Sequence, residues 1–399
     1  MTLTVKQWQG LKIAVERYKN HEPYTLIQGY AGTGKSTLVR FIIDALHLYP
    51  SEVAYIAYTG KAAQVLRNKG CLNAITAHRF LYNSFQRKDG TYDRIIKPTE
   101  ELSCYKLIVV DEVSMIPQFM WDILLSHHIH ILALGDPGQL PPINADAVLS
   151  NVKPHIFLDE VMRQATESEI IRLTMDIRKG KSLEKHLGTD VRIVDASELQ
   201  KPGLLSWADQ IIVGKNKTRH FINSAVRKIT FPDVEELDCE PMIGEKVICL
   251  HNDWNLINDA NDALVNGMTG HVQARYRING YKANPYMEKT YKINFLPDYE
   301  GAGVFPDIEI DYKIFKDGTP TVTIGPNGTF QRIPKVYRPH EFDFGYAITC
   351  HKAQGSEFNK VLVFEEFLKG ESKEDHKKWL YTAATRAIDK LIIIKDFRI

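Results

Sequence analysis

The chain has 399 residues and a formal net charge of +1, with 44% hydrophobic and 25% charged residues. This composition is ordinary for a globular protein and excludes a global polycation, so any nucleic-acid contact must come from a local basic groove. The 5 cysteines are scattered and form no C-x-x-C pair, which argues against a disulfide framework and against a zinc ribbon. Neither a signal-peptide region nor an apolar run of membrane-spanning length is visible, so we expect a cytoplasmic enzyme without membrane contact.

The first part of the chain alternates predicted helices and strands. Helical spacing at 5–19 precedes a strand at 24–29 and an amphipathic helix at 35–48; further strands are predicted at 52–59, 106–113 and 128–136. Polar residues follow the carboxyl ends of these strands, which indicates a parallel sheet covered on both faces. The segment SFQRKDGTYDRIIKP, at 84–98, predicts a β-hairpin inserted into this lobe.

A similar pattern returns after residue 200. Strands are predicted at 210–216, 344–350, 360–367 and 389–397, with the helical stretch DHKKWLYTAATRA between the last two. Between these parts, Gly, Asn, Pro and Tyr become frequent, and DG and NG pairs predict turns of a small all-β module. We therefore expect an α/β protein with a first lobe at 1–160, a second lobe at 161–252 and 336–399, and a β insert at 253–335.

The stretch GYAGTGKST predicts a phosphate-binding loop, because it fits G-x-x-x-x-G-K-S with a strand before it and a helix after it. Glycines let backbone N–H groups converge on an anion, and the helix N-terminus adds partial positive charge. Lys35 can reach the β- and γ-phosphates, and Ser36 can bind Mg²⁺. The predicted nucleotide-binding residues here are Gly29, Ala31, Gly32, Thr33, Gly34, Lys35, Ser36 and Thr37.

Two acids at the end of the strand LIVVDE supply the expected partners of this loop. Asp111 is predicted to hold Mg²⁺, directly or through water, and Glu112 to orient or deprotonate the attacking water. A solvated strand end is the alternative interpretation. The pair predicts hydrolysis of ATP or GTP and leaves open what the hydrolysis drives.

Further segments follow one another in a recognisable order: LTVKQ, GYAGTGKST, AYTGKAAQVL, ITAHRFL, VVDEVSM, LGDPGQLPPI, LDEVMRQ, TCHKAQGSEF and LYTAATRA. In this order they resemble the motifs of the superfamily 1B DNA helicases of the RecD and Dda type. One departure is Tyr58, which stands where such helicases usually carry proline.

The resemblance implies two RecA-like lobes that share one ATP, a hairpin wedge (1B) at 84–98 and an SH3-like insert (2B) at 253–335. By this resemblance Gln7 would contact adenine, Gln139 would sense the γ-phosphate, and Arg163 and Arg386 would act as arginine fingers. Gln354 and Gly355 would line the nucleotide cleft, with a simple turn as the alternative interpretation. For Arg163 and Arg386 the alternative is a salt bridge.

A nucleic-acid track is expected from hydroxyl, imidazole and ammonium donors near strand ends, which suit phosphate oxygens. For the Thr and His candidates the competing interpretation is capping or core packing, and for the lysines it is a solvated side chain. Phe85 or Tyr92 is predicted to act as the wedge that splits base pairs. Packing inside the hairpin is the alternative for Phe85 and Tyr92. The remaining candidates are Thr59, Lys61, Thr76, His78, Thr349 and His351, with Lys215 and Lys217 adding electrostatic grip.

The sequence thus predicts an ATP- and Mg²⁺-dependent DNA helicase that moves along single-stranded DNA, 5′ to 3′ by resemblance, and opens single-strand/double-strand junctions. It would act in replication, recombination or repair in a bacterial or phage-infected cytoplasm. Candidate partners are a single-stranded-DNA-binding protein or replisome components, and no oligomer is implied. Two alternatives stay open: an RNA helicase or RNP remodeller of the same superfamily, and a non-unwinding nucleic-acid-binding module switched by ATP.

Overall fold

A computed structural model describes residues 3–86, 92–141, 148–149, 152–200, 203–232, 240–260, 262–279, 283–324, 330–334, 337–368 and 370–397. For residues 84–86, 92–93, 163–164, 200, 324 and 330 only the backbone is described. The chain divides into two compact units: a first unit of Met1–Asn83, Ile95–Gly214 and Ala353–Ile399, and a second unit of Ser84–Arg94 and Lys215–Lys352.

The first part of the chain contains five helices and eight strands within the described residues. In chain order they are α1 (Val5–Lys19), β1 (Tyr24–Gly29), α2 (Lys35–Ala45), β2 (Val53–Ala57), α3 (Gly60–Asn68), β3 (Ile75–Thr76), α4 (Ala77–Leu81), β4 (Tyr82–Gln86), β5 (Tyr92–Ile96), β6 (Leu107–Val110), α5 (Gln118–Ser126), β7 (His130–Gly135) and β8 (Ile156–Leu158).

The remaining elements follow in chain order. They are α6 (Glu169–Arg178), β9 (His186–Leu187), β10 (Val191–Val194), α7 (Leu204–Trp207), β11 (Gln210–Val213), α8 (Asn216–Thr230), β12 (Lys246–Cys249), β13 (Asp253–Ile257), β14 (Ala263–Leu264), β15 (Thr269–Ile278), β16 (Thr290–Pro297), β17 (Phe305–Ile310), α9 (Tyr312–Asp317), β18 (Val322–Ile324), β19 (Phe330–Arg332), β20 (Phe342–Phe344), β21 (Ala347–Thr349), β22 (Phe358–Phe364), α10 (Lys373–Ala384) and β23 (Ala387–Ile394).

The first sheet has six parallel strands in the order β3-β2-β6-β7-β1-β8. Its central strands are fully buried, as the apolar run of β6 predicts. Leu11 of α1 and Leu38 of α2 pack with Ile27 of β1 and Val109 of β6 in one hydrophobic core. Because all strands are parallel, the segments that follow β1, β6 and β7 emerge at the same edge of the sheet.

The first unit contains a second group of parallel strands in the spatial order β11-β22-β23-β10, with the short β9 antiparallel beside β10. Helix α10 begins at Lys373 with a capping box formed by Ser372 and Asp375. The helix packs against α6 and leads into β23. The predicted second set of α/β strands is therefore present within this unit.

A charged group lies near the start of α10, and we call it the His376 cluster. The Nε2 atom of His376 is 3.1 Å from Glu365 Oε1, and its Nδ1 atom is 3.3 Å from Glu371 Oε2. The imidazole stacks on the ring of Phe367 at 3.8 Å between centroids. Burial by itself would lower the pKa of His376, but the two carboxylates raise it above its usual value of 6.5.

The second unit is built on a five-stranded antiparallel sheet in the order β17-β16-β15-β12-β20. Phe295, Phe305 and Phe342 are fully buried in its core, and the ring of Phe295 contacts the rings of the other two. This sheet extends beyond the predicted insert at 253–335 on both sides, through β12 and β20. The predicted strand at 344–350 is instead divided between the end of β20 and β21.

The predicted hairpin is present, because β4 and β5 pair as a two-stranded sheet. The side chains of Phe85 and Tyr92 lie outside the described residues, so their wedge role stays a prediction. The domain boundaries also stay a prediction. The expected fold class, parallel-sheet α/β lobes with small added β sheets, is confirmed.

Candidate nucleotide-binding and hydrolysis site

The phosphate loop connects β1 to α2 and has a backbone that only glycine adopts easily. Gly32 and Gly34 have φ values of 75° and 79°, in the left-handed region. A Cβ atom on Gly34 would lie 2.5 Å from Nε2 of Gln7, and one on Gly29 would lie 2.8 Å from the carbonyl oxygen of Leu158. The loop is therefore held closely by its neighbours while its amides remain near the start of a helix.

Lys35, Ser36 and Thr37 form the first turn of α2, where helical N–H groups have no partner within the helix. The Nζ atom of Lys35 donates to the carbonyl oxygens of Gly29 at 2.6 Å and of Tyr30 at 3.2 Å. The ammonium group thus lies across the beginning of the loop. A loop amide array, a helix N-terminus and a lysine together suit the phosphates of a nucleotide.

Gln7 is almost completely buried and supports this loop from α1. Its Oε1 atom accepts from the amide of Thr4 at 3.0 Å, and its Nε2 atom donates to the carbonyl oxygen of Thr33 at 3.2 Å. The hydroxyl of Thr33 in turn donates to Tyr30 O at 2.8 Å. In the structure Gln7 holds the loop, and its contact with adenine stays a prediction.

The two predicted acids follow β6 directly and have different environments. Asp111 accepts from the amide of Glu112 at 3.0 Å. Burial and the charge of Glu112 raise the pKa of Asp111 to about 6, against the opposing effect of Lys35. Glu112 has φ and ψ of 50°, a left-handed conformation that is uncommon for a non-glycine residue. Its Oε1 atom accepts from Nε2 of Gln139 at 3.1 Å.

Arg386 reaches the same carboxylate from the end of α10. Its Nη2 atom is 3.9 Å from Glu112 Oε1, and the side chain is only 4% exposed. The guanidinium also donates to Thr382 O at 3.1 Å, to Ser356 O at 3.3 Å and to the hydroxyl of Thr385 at 3.1 Å. Three side chains that are far apart in the sequence therefore meet at one point, those of Glu112, Gln139 and Arg386.

Gln354 and Gly355 lie nearby in the chain segment before β22. Gln354 is buried and donates from Nε2 to the carbonyl oxygen of Leu140 at 2.6 Å. Gly355 has a φ of 71°. Of Arg163 only the backbone is described, and it begins a short 3₁₀ segment that ends at Glu167. The amide of the preceding Met162 donates to Gly32 O at 2.9 Å, so this segment lies beside the phosphate loop.

Comparison with known proteins agrees with this geometry. Residues 3–196 match a family model described as an AAA domain, and residues 344–394 match the UvrD-like helicase C-terminal domain. The chain is 27% identical to the ATP-dependent RecD2 DNA helicase of Deinococcus radiodurans over 92% of this chain and 46% of that protein. It is 26% identical to the ATP-dependent DNA helicase Dda of Enterobacteria phage T4 over 62% of this chain and 60% of that protein.

These matches make the chain similar to the superfamily 1B helicases of the RecD, Dda and Pif1 type. Among solved structures, the Pif1 helicase from Bacteroides in complex with ADP-AlF3 and ssDNA has the same fold, with a TM-score of 0.51 at 17% identity, covering 100% of this chain and 93% of that one. The chain spans less than two thirds of the length of RecD2 and of Dda.

Several of the predicted nucleic-acid residues also have structural roles. The hydroxyls of Thr59 and Thr76 are N-caps that accept from amides three residues ahead, at 3.1 and 3.2 Å. Nζ of Lys61 lies 4.0 Å from the ring centroid of Phe358, and the buried ring of His78 lies 5.1 Å from that of Tyr82. Contact of these four residues with DNA stays a prediction.

The other predicted nucleic-acid residues belong to the second unit. Thr349 ends β21, and His351 follows in a short 3₁₀ segment, where burial lowers its pKa. Lys215 is the residue before α8, and Lys217 lies in the first turn of that helix.

Sequence reasoning missed two residues of the candidate site, Asp136 and Tyr381. Asp136 follows β7, accepts from the amide of Gly138 at 2.9 Å, and has a pKa raised by burial. The hydroxyl of Tyr381, on α10, donates to Asp136 Oδ2 at 2.8 Å and accepts from the amide of Ala31 at 2.7 Å. Both residues lie in the segments LGDPGQLPPI and LYTAATRA, whose resemblance to helicase motifs points only to Gln139 and Arg386.

The residues present fit a magnesium ion bound together with a nucleotide. Across the described ranges no group of three or more His, Cys, Asp or Glu side chains could hold a metal ion by itself. Mg²⁺ beside nucleotide phosphates needs only one or two carboxylates, and Asp111 and Ser36 supply a carboxylate and a hydroxyl.

Of the helices in the described part of the chain, none has the length and apolar character needed to cross a membrane.

Proposed function

We propose that this chain is an ATP-dependent DNA helicase that translocates on single-stranded DNA and unwinds duplexes. The observation that carries the proposal is the meeting of Glu112, Gln139 and Arg386 at the edge of the sheet where the phosphate loop lies. A nucleotide-binding switch would need the loop alone. A water-orienting acid, an amide beside it and a buried guanidinium are what hydrolysis requires.

In the proposed reaction, the amides of the loop and Lys35 bind the β- and γ-phosphates of ATP. Glu112 orients a water molecule and accepts its proton as the water oxygen bonds to the γ-phosphorus and the bond to ADP breaks. Gln139 fixes the Glu112 carboxylate, and Arg386 stabilises the negative charge that develops on the transferred phosphoryl group. Mg²⁺, held by Asp111 and Ser36, would neutralise phosphate charge.

Hydrolysis can be coupled to movement because the site draws on both sets of parallel strands in the first unit. The phosphate loop, Glu112 and Gln139 follow strands of the first sheet, whereas Tyr381 and Arg386 come from α10 and the turn before β23. When the γ-phosphate leaves, the contacts between these two groups change, and repeated changes would step the protein along a strand.

The activities of the relatives support the assignment of DNA as the substrate. RecD2 and Dda are ATP-dependent DNA helicases, and the Pif1 structure contains ssDNA. We propose that this chain likewise binds single-stranded DNA and its junctions with duplex DNA, moves 5′ to 3′, and uses the hairpin as a wedge. It would act in replication, recombination or repair in the cytoplasm. A single-stranded-DNA-binding protein or replisome components would be its partners.

Steady-state ATP turnover, measured with and without single-stranded DNA, tests the proposal. Wild-type protein should hydrolyse ATP faster with DNA, and Lys35→Ala should lose turnover, whereas Lys12→Ala, an exposed lysine on α1, should not. Stimulation by a matched RNA oligonucleotide but not by DNA would favour an RNA helicase. Slow turnover indifferent to either strand would favour the ATP-switched module, and normal turnover by Lys35→Ala would place the nucleotide elsewhere.

A further inference from the structure

Tyr381 joins three segments of the candidate site through a single hydroxyl group. Its ring is 2% exposed, and burial together with the charge of Asp136 raises its pKa, so the phenol stays protonated and can donate. The proton goes to Asp136 Oδ2 at 2.8 Å, and the oxygen accepts from the amide of Ala31 at 2.7 Å. One hydroxyl has one donor and two lone pairs, so both bonds are satisfied simultaneously.

The neighbouring residue strengthens this connection. The hydroxyl of Thr382 accepts from the amide of Leu140 at 2.8 Å, and the carbonyl oxygen of Leu140 accepts from Gln354. Two consecutive residues of α10 therefore hold the segment from Asp136 to Leu140, which includes Gln139. The ring of Tyr381 fits closely, because a Cβ on Gly138 would lie 3.0 Å from its Cε1 atom.

The same helix leads to Arg386, five residues after Tyr381 in the sequence. Arg386 Nε donates to the carbonyl oxygen of Thr382, so the guanidinium is tied to the turn of helix that carries Tyr381. Anchoring Tyr381 to the Ala31 amide therefore holds the end of α10, and with it the guanidinium, close to the phosphate loop.

We propose that Tyr381 is a positioning residue for ATP hydrolysis, which holds the phosphate loop, the Asp136–Leu140 segment and the Arg386 guanidinium in one reactive arrangement. This inference rests on the proposed function. The hydroxyl does not touch the reacting atoms, so it acts through Ala31 and Arg386. Because misplaced catalytic groups mainly slow the chemical step, its loss should lower kcat more than it raises KM.

The test compares Tyr381→Phe with wild type and with the matched control Tyr299→Phe. Tyr299 belongs to the second unit, and its hydroxyl donates to Asp262 Oδ2 at 2.8 Å, so the control deletes the same kind of bond to a carboxylate. With saturating single-stranded DNA, kcat of Tyr381→Phe should fall about tenfold and KM for ATP should change less than about threefold. Tyr299→Phe should keep kcat, with a similar fall in Tm in both variants.

Three results would overturn the inference. The first is a kcat of Tyr381→Phe within about twofold of wild type. The second is a raised KM for ATP with kcat unchanged, which would make the hydroxyl a binding contact. Equal losses of kcat in both variants would assign the effect to stability alone. If wild-type protein has no turnover with DNA, the proposed function itself fails and the inference fails with it, whereas an active wild type separates the two.

Discussion

Replacing Arg386 by alanine should remove ATP turnover while the protein stays folded and still binds single-stranded DNA. The guanidinium lies 3.9 Å from Glu112 Oε1 and donates to Thr382, Ser356 and Thr385. At about 0.5–1.5 kcal/mol each, loss of these three hydrogen bonds lowers the free energy of unfolding by about 1.5–4.5 kcal/mol. A domain stable by about 5–15 kcal/mol remains mostly folded after such a loss.

The expected kinetic effect is much larger than this loss of stability can produce. An arginine finger contributes about 10³- to 10⁵-fold in rate, which corresponds to about 4–7 kcal/mol of activation free energy. A partly unfolded population would lower the rate only in proportion to the folded fraction. A loss of about 10³-fold or more would therefore identify Arg386 as part of the hydrolysis site.

The assay measures ATP turnover with saturating single-stranded DNA, the affinity for a labelled oligonucleotide by fluorescence anisotropy, and Tm. Arg386→Lys keeps the charge and loses the planar fork of donors, so it should also be severely impaired. Arg17→Lys is the matched control, because Arg17 donates to the carbonyl oxygen of Tyr24 at the opposite end of β1 from the phosphate loop. Turnover of a folded Arg386→Ala protein within about tenfold of wild type would refute the reasoning.

Three further predictions concern pH and the hairpin. Burial raises the pKa of Asp111 to about 6, and the ionised carboxylate is the form that binds Mg²⁺, so kcat/KM for ATP should fall as pH drops through about 6. Excess Mg²⁺ should move this fall to lower pH. A pH profile of kcat/KM that is flat from about pH 5 to 8 would contradict this prediction. Because the pKa of His376 is raised in the folded protein, the charged imidazole contributes stability below its unfolded pKa of 6.5, and this stability is lost as pH rises through the folded pKa. The variant His376→Gln should therefore lower Tm more at about pH 6 than at about pH 9. An equal loss of Tm at both pH values would argue against charged pairing in the His376 cluster. Replacing Phe85 or Tyr92 by alanine should reduce duplex unwinding more than DNA-stimulated ATP turnover if either is the wedge, and parallel losses of both activities would reject that role.

The parts of the site that the sequence predicts are those encoded in short contiguous segments. Strand, loop and helix follow one another within GYAGTGKST and its flanks, so the loop, Lys35 and the start of α2 lie where local pattern places them. The same is true of the acids after β6. In each case a parallel strand ends where the apolar run ends, and the functional residue comes next.

The contacts of Tyr381 could not be predicted in this way. The bond between its hydroxyl and the amide of Ala31 joins residues 350 apart, and nothing in the spacing of LYTAATRA says that the tyrosine side of α10 faces the loop. Helical periodicity shows which residues are buried, but it does not show against what they are buried. Tertiary packing decides that.

The extent of the β module was also not readable from the sequence. An apolar run such as FDFGYAI suits a buried strand of either a parallel or an antiparallel sheet, because periodicity does not encode the direction of the partner. In the structure β20 pairs with β12 in the antiparallel sheet. Likewise, Thr59 and Thr76 carry hydroxyls that suit both a helix cap and a phosphate, and the pattern alone cannot separate these uses.

Unwinding of tailed duplexes tests the central claim most directly. Two substrates with the same duplex are compared, one with a 5′ single-stranded tail and one with a 3′ tail, with ATP and with a non-hydrolysable analogue. We predict strand separation of the 5′-tailed substrate with ATP only, little separation of the 3′-tailed substrate, and none by Lys35→Ala. ATP hydrolysis that is stimulated by DNA but separates neither substrate would contradict the account.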